Sequence, residues 1–199
     1  PEGSLTLIDL AGGATNAKVT QISLDGIEAP AGSRIVKPGS SFAADAEPEY
    51  VAFAPDGKTA YVTLQENNAV AVIDIDTAQV AKVVGLGVKN VSRTSHDMSN
   101  KDGGINMKRW PVLMMYQPDA VVAYNVKGAT YLVTANEGDA KDYNGFSEET
   151  RVGKLKLDGT MFPNAAELQK PENLGRLKTT TTKGDTDGDG DHDLIFAYG

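Results

Sequence analysis

Residues 184–193 read GDTDGDGDHD. Five aspartates, Asp185, Asp187, Asp189, Asp191 and Asp193, alternate with small or polar residues, and no lysine or arginine stands among them. Carboxylates this close repel one another unless a cation is held between them. Calcium suits such a set, because it is a hard cation that takes six to eight oxygen ligands at ~2.3–2.6 Å. Glycines between alternate carboxylates let a tight loop turn its oxygens inward. Asp185, Asp187 and Asp189 match the first, third and fifth positions of an EF-hand loop, and Gly190 falls at the sixth, where the bend needs glycine. The match then ends. The twelfth position is Phe196 rather than glutamate, and LIFAYG over residues 194–199 reads as a strand instead of an exit helix. The expectation is a Ca2+ loop leading into a strand, with Asp191 and Asp193 adding a carboxylate or a backbone carbonyl. His192 is expected to face solvent, since calcium prefers oxygen. With no cation the same run is a solvated acidic turn.

A second candidate is ANEGDAKDY at residues 135–143, where Asn136, Glu137, Asp139 and Asp142 offer oxygens at the end of an expected strand. It reads as a second cation or polar-ligand site, or as a hydrated loop. Asp119 and Glu49 are acids that the repeat described below would bring towards it. Hydrolytic chemistry has weaker signals. The two histidines, His96 and His192, are far apart in sequence, and no Gly-x-Ser-x-Gly elbow is present. Ser95, His96 and Asp97 spell a triad in one line, but consecutive residues do not place three side chains in relay geometry. Lys108 and Arg109 beside Trp110 suit either a phosphate or sugar grip or a surface charge next to a packed aromatic.

The composition bounds these readings. The 199 residues carry 27 Asp+Glu against 19 Lys+Arg, a formal net charge of −8. That balance disfavours a nucleic-acid surface and favours cations as partners. With no cysteine, disulfides and thiolate metal sites are excluded. No apolar run approaches the ~20 residues of a transmembrane helix. The first residue is Pro1, so the chain is expected to be processed or a piece of something longer.

Strand signals dominate the elements that must hold the loops. Residues 4–11, 49–55, 59–65, 69–76 and 80–87 are short, rich in Val, Ile or Tyr, largely alternating, and bounded by turn residues. Asp56-Gly57 is a hairpin signal, because it readily adopts the positive φ of a tight turn. Residues 47–87 therefore hold four consecutive antiparallel strands, the size of a β-propeller blade. The unit recurs. EPEYVAFAPDGKTAYVTLQEN from Glu47 aligns with QPDAVVAYNVKGATYLVTANE from Gln117 at a constant offset of 70 residues, placing Pro48 on Pro118, Val51 on Val121 and Tyr61 on Tyr131. LTLIDLAGG from Leu5 resembles VAVIDIDTA from Val70, which makes it the later half of a preceding blade. The fold class is thus all-β: a β-propeller segment of four-stranded antiparallel blades with long loop insertions, at about residues 88–116 and 139–183. The second insertion carries one helical candidate over residues 163–169. The whole chain, 1–199, is expected to form part of a single propeller domain. Half a blade, one full blade, an interrupted blade and the first strand of another do not complete a ring.

These residues carry a resemblance. EYVAFAPDGKTAYVTLQENNAVAVIDI, DGGINMKRWPV, YQPDAVVAYNVKGATYLVTANEGDAKDY, FPNAAELQKPENLGRLK and GDTDGDGDHDLIFAYG, in this order, resemble the choice-of-anchor I family of bacterial surface proteins. That family is similar in turn to the mesenchyme-specific cell surface glycoproteins of animals that deposit calcium mineral. Residues 89–100 depart from it, since a more acidic stretch is expected there. The resemblance implies a β-propeller and an exported protein, extracellular or at the cell surface. Some family members carry alkaline-phosphatase-like descriptions, and the family sequence continues past the equivalent of Gly199. The reading is an exported calcium-binding propeller scaffold. Its expected partners are calcium, the remainder of the propeller or a partner chain, and cell-surface or extracellular matrix components. The alternative is a metal-dependent phosphoester hydrolase.

Overall fold

The computed structural model describes residues 3–199. Strands dominate and the helices are single turns, so the chain is all-β. Among the described residues no sheet closes on itself. It divides into two compact units.

The first unit comprises residues 1–87 and 117–138. Its centre is a four-stranded antiparallel sheet of β3 (Pro48–Phe53), β4 (Thr59–Leu64), β5 (Ala69–Asp74) and β6 (Gln79–Gly85), neighbours in sequence order. Each strand matches one of the alternating segments to within a few residues. Gly57 makes the β3–β4 turn with φ 71°, and Asn68 makes the β4–β5 turn with φ 53°, a conformation that asparagine tolerates better than most residues. Two hairpins accompany the sheet. One is β1 (Ser4–Asp9) with β2 (Lys18–Ser23); the other is β9 (Pro118–Val126) with β10 (Ala129–Asn136).

The repeat extends to a shared irregularity. The β3–β4 register shifts between Pro48 and Val51, and β9–β10 shifts at the matching end, where Asn136 faces Pro118. One face of the sheet carries Ala60, Val62, Leu64, Ala71 and Ile73 into a core shared with Ile22, Leu24 and Phe42. Burying an aliphatic side chain of this size contributes about 1.5–3 kcal/mol. The single turn α1 (Phe42–Asp45) is capped by Ser41, whose hydroxyl accepts from Ala44 N at 3.1 Å. Buried Asp45 accepts from Val36 N (2.7 Å), Lys37 N (2.9 Å) and Asn67 Nδ2 (2.8 Å), an acid spent on tying a loop down.

The second unit comprises residues 88–116 and 139–199, the stretches read as insertions together with the C-terminal residues. Its sheet runs β13 (Glu149–Arg151), β14 (Lys178–Thr180), β15 (Ile195–Ala197), β8 (Val112–Met115), β7 (Val88–Asn90). A two-stranded ladder, β11 (Asp142–Tyr143) with β12 (Phe146–Ser147), stands apart. LIFAYG does become a strand, but β15 lies inside this sheet, parallel to β8, instead of opening another blade. Burial explains this: Ile195 and Ala197 join Val112, Trp110, Phe162 and Leu174 in the unit's own core. The helical segment shrinks to α2 (Ala165–Leu168), which begins after its N-cap Asn164, so Pro163 lies outside the helix. Among the described residues no helix is long and apolar enough to cross a membrane.

Candidate metal centre

The acidic run is the connection from β14 to β15. Its two ends are clamped: Asp193 N and Leu194 N both donate to Gly184 O, at 2.9 and 3.0 Å. Gly184 has φ 130°, and a Cβ there would stand 2.4 Å from Leu194 O, so no side chain fits. Inside the clamp the carboxylates brace the backbone. Asp185 accepts from Gly188 N (2.7 Å) with one oxygen and from Gly190 N (3.0 Å) with the other. Asp187 accepts from Asp189 N (3.2 Å), and Asp189 from Asp191 N (3.0 Å). Asp193 Oδ2 accepts from Thr186 N (2.8 Å) and Thr186 Oγ1 (2.6 Å). The hydroxyl bond first, and the amide bond after it, hold the Asp193 carboxyl below its ordinary value.

Two trios of carboxylate oxygens result, each within 4.8 Å of one another, and Asp193 belongs to both. Asp185, Asp187 and Asp193 form the outer trio. The inner one is Asp158, Asp191 and Asp193, all half-buried. Asp189 is in neither trio.

Asp158 carries no sequence signal of its own. It is delivered by a bridge between Leu157 and His192, reinforced by Asp158 N donating to His192 O at 3.1 Å. Asp158 Oδ1 in turn accepts from Met161 N at 2.5 Å. The pairing is non-local, so no spacing in the sequence signals it.

The electrostatics are lopsided. Lys156 Nζ stands 3.3 Å from Asp191 Oδ2, but its side chain is 69% exposed. Asp191 Oδ1 is buried and accepts no hydrogen bond within the described residues. His192 does not face solvent as expected. Both ring nitrogens are buried without a hydrogen bond, and the ring lies against Gly184. The backbone pairing of residues 157 and 192 accounts for this, since it turns the ring inward. An all-oxygen set on a glycine-rich loop suits a hard cation, with His192 as packing rather than ligand.

The other candidates are arranged differently. Asn136 and Glu137 belong to the first unit, Asp139 and Asp142 to the second, and all four are exposed. Asn136 Oδ1 accepts from Thr134 Oγ1 (2.9 Å), and Asp139 Oδ1 from Ala140 N (2.8 Å). Among the described residues, neither carboxylate trio includes Glu137, Asp139 or Asp142. His96 Nε2 meets Thr94 Oγ1 at 2.8 Å, and Asp97 accepts from Asn106 N at 3.4 Å. Those partners do not form a Ser95–His96–Asp97 relay. Trp110 is buried, donates to His96 O at 3.0 Å, and carries Lys108 Nζ 5.5 Å from its ring centre. That is a surface charge beside a packed aromatic.

Fold and site together define an all-β repeat protein with one self-braced acidic loop. The chain belongs to the choice-of-anchor I domain family, whose model matches residues 1–199, the whole chain. Membership indicates a cell-surface or exported protein. No curated protein matches the sequence. Among solved structures, the chain is similar to hydrazine synthase of Kuenenia stuttgartiensis at 14% identity and a TM-score of 0.21, over 77% of this chain and 58% of that one. The chain thus spans less than two thirds of that protein's length, and a likeness this remote carries no argument.

Proposed function

We propose that this chain is a calcium-binding scaffold at the cell surface, built as part of a β-propeller. The observation that carries the reading is the sharing of Asp193 between two carboxylate trios on a loop closed at both ends. A cation among these oxygens offsets their mutual repulsion and joins the β14–β15 connection to the Asp158 segment. Calcium fits the donor set because every donor is a hard oxygen and the loop is not a rigid octahedral cage. The propeller reading rests on the four-stranded sheet and the repeat offset, with the remainder of the ring or a partner chain supplying further strands. Surface and extracellular matrix components are the partners of such a scaffold. The acid loop then has a structural duty.

Thermal unfolding with calcium, with magnesium and with a chelator tests this. At a hundredfold excess over Kd, calcium binding to the native state alone raises stability by about 2.7 kcal/mol, roughly 5–10 °C in Tm for a chain of this length. Magnesium is expected to give a smaller rise. Identical melting in all three conditions would contradict the proposal.

A further inference from the structure

In the second unit, the segment from His96 to Lys108 closes on itself and leaves an apolar tip uncovered. Its neck is a bridge between these two residues: His96 N donates to Lys108 O at 2.7 Å, and Lys108 N to His96 O at 3.1 Å. Buried Trp110 adds a bond from Nε1 to His96 O at 3.0 Å. The outgoing limb is tied down. Met98 packs on the unit's core, Ser99 Oγ donates to Pro171 O at 2.8 Å, and Asn100 Oδ1 accepts from Arg176 Nε at 3.0 Å. The returning limb stands clear. A Cβ at Gly103 or Gly104 would meet nothing within 4 Å, Ile105 is 90% exposed, and Met107 is 58% exposed. Among the described residues the hydrogen bond of this limb, Asn106 N to Asp97 at 3.4 Å, stays inside the loop.

A single exposed aliphatic residue is ordinary on a protein surface. What gives this one meaning is the charge beside it. Lys101 lies four residues before Ile105, and Lys108 and Arg109 lie three and four after it. All three are exposed, and none forms an ion pair among the described residues. Of the two acids in the loop, Asp97 already accepts from Asn106 N, and Asp102 is half-buried. A bare apolar tip flanked by unpaired cations thus stands out from a chain of net charge −8. A bilayer with anionic headgroups matches both parts, because the tip enters the boundary between headgroups and acyl chains while the cations meet phosphates. A soluble polyanion would pair the cations but leave Ile105 in water. An uncharged apolar groove would cover Ile105 and leave the cations unpaired.

We propose that residues 101–109 dock on an anionic lipid surface, with Ile105 and Met107 entering the interface and Lys101, Lys108 and Arg109 holding headgroup phosphates. Stable attachment takes two signals, one apolar and one electrostatic, and the loop supplies both. The pinned neck and outgoing limb hold the tip outward, so little order has to be gained on contact. The packed Trp110 stays in the core and carries Lys108 over its ring. The docking makes no use of the acidic loop and stands apart from the calcium reading.

The absence of cysteine allows a single label on the full chain. Ile105→Cys carrying an environment-sensitive fluorophore is expected to brighten and shift to the blue with vesicles of mixed phosphatidylglycerol and phosphatidylcholine, and not with phosphatidylcholine alone. A chelator is present throughout, so no divalent cation bridges protein to lipid. Co-sedimentation of the unlabelled parent should show the same preference and weaken with salt, as screened charges do. Ile105→Asp, and separately Lys108→Glu with Arg109→Glu, should each weaken it by about tenfold or more. Circular dichroism should stay unchanged, since these side chains stand in solvent. No binding to anionic vesicles, or equal binding to both kinds, would overturn the proposal. So would binding that Ile105→Asp leaves unchanged, which would mark a site for a soluble polyanion.

Discussion

The loops at residues 136–142 and 184–193 both looked like cation sites in sequence, and the structure treats them differently. In the second loop the donors lie between clamped ends, on alternate positions of one tight turn, and a third segment folds back to add Asp158. In the first, Asn136 accepts from Thr134 and Asp139 from Ala140, and neither carboxylate trio draws on the loop. What separates them is closure rather than acid content. A run of acids becomes a candidate site when the backbone returns on itself and holds the oxygens at one place.

That contrast can be broken at its clamp. Gly184→Val is expected to cost about 2–4 kcal/mol, because its Cβ meets Leu194 O and its φ lies where a β-branched residue is strained. Chemical denaturation measures this, and an unchanged midpoint would remove the clamp from the account. Next in size, Asp158→Asn is expected to weaken calcium binding about tenfold, roughly 1.4 kcal/mol, while Glu137→Gln leaves it unchanged. Equal effects at both positions would erase the distinction between the loops. Gly190→Ala, at φ 88°, should cost about 1–2 kcal/mol, read as a lowered Tm.

The smallest effect is on pH. The Asp193 carboxyl is held below its ordinary value by Thr186, so its folded form binds its proton less readily than the unfolded chain does. Its stabilisation is present in full above the ordinary carboxylate value, ~3.9, and is lost as pH falls through the lowered value. Thr186→Ala should flatten that acid limb of the stability curve without altering the plateau near neutrality by more than the lost hydrogen bonds. An acid limb as steep as the parent's would show that Thr186 is not the cause.

How much of this was legible followed from how local each feature is. Strands β3 to β6 alternate, are joined by Asp-Gly and Asn turns, and pair with their sequence neighbours, so a period of two and a turn residue were enough. The 70-residue repeat was equally visible, down to the paired prolines at Pro48 and Pro118. The second unit was not. Its sheet is made of strands three or four residues long drawn from both supposed insertions and the C-terminal residues, and its central pairing, β15 on β8, joins distant residues in parallel. A three-residue strand has no period to read. The same limit governs the site: Asp185, Asp187 and Asp193 were found from spacing, but Asp158 and the inward turn of His192 depend on one long-range bridge. LKLDGT around Asp158 reads as an ordinary turn until residue 192 is placed beside it.

Asp193 belongs to both carboxylate trios, and the proposed calcium site depends on it. Calorimetric titration of calcium into the full chain, beside Asp193→Asn, addresses it directly. Asparagine can keep the Thr186 bonds while removing the shared charge. The parent is expected to bind with a stoichiometry of at least one, and the variant to lose at least tenfold in affinity. No heat of binding in the parent, or an unchanged isotherm in Asp193→Asn, would contradict it.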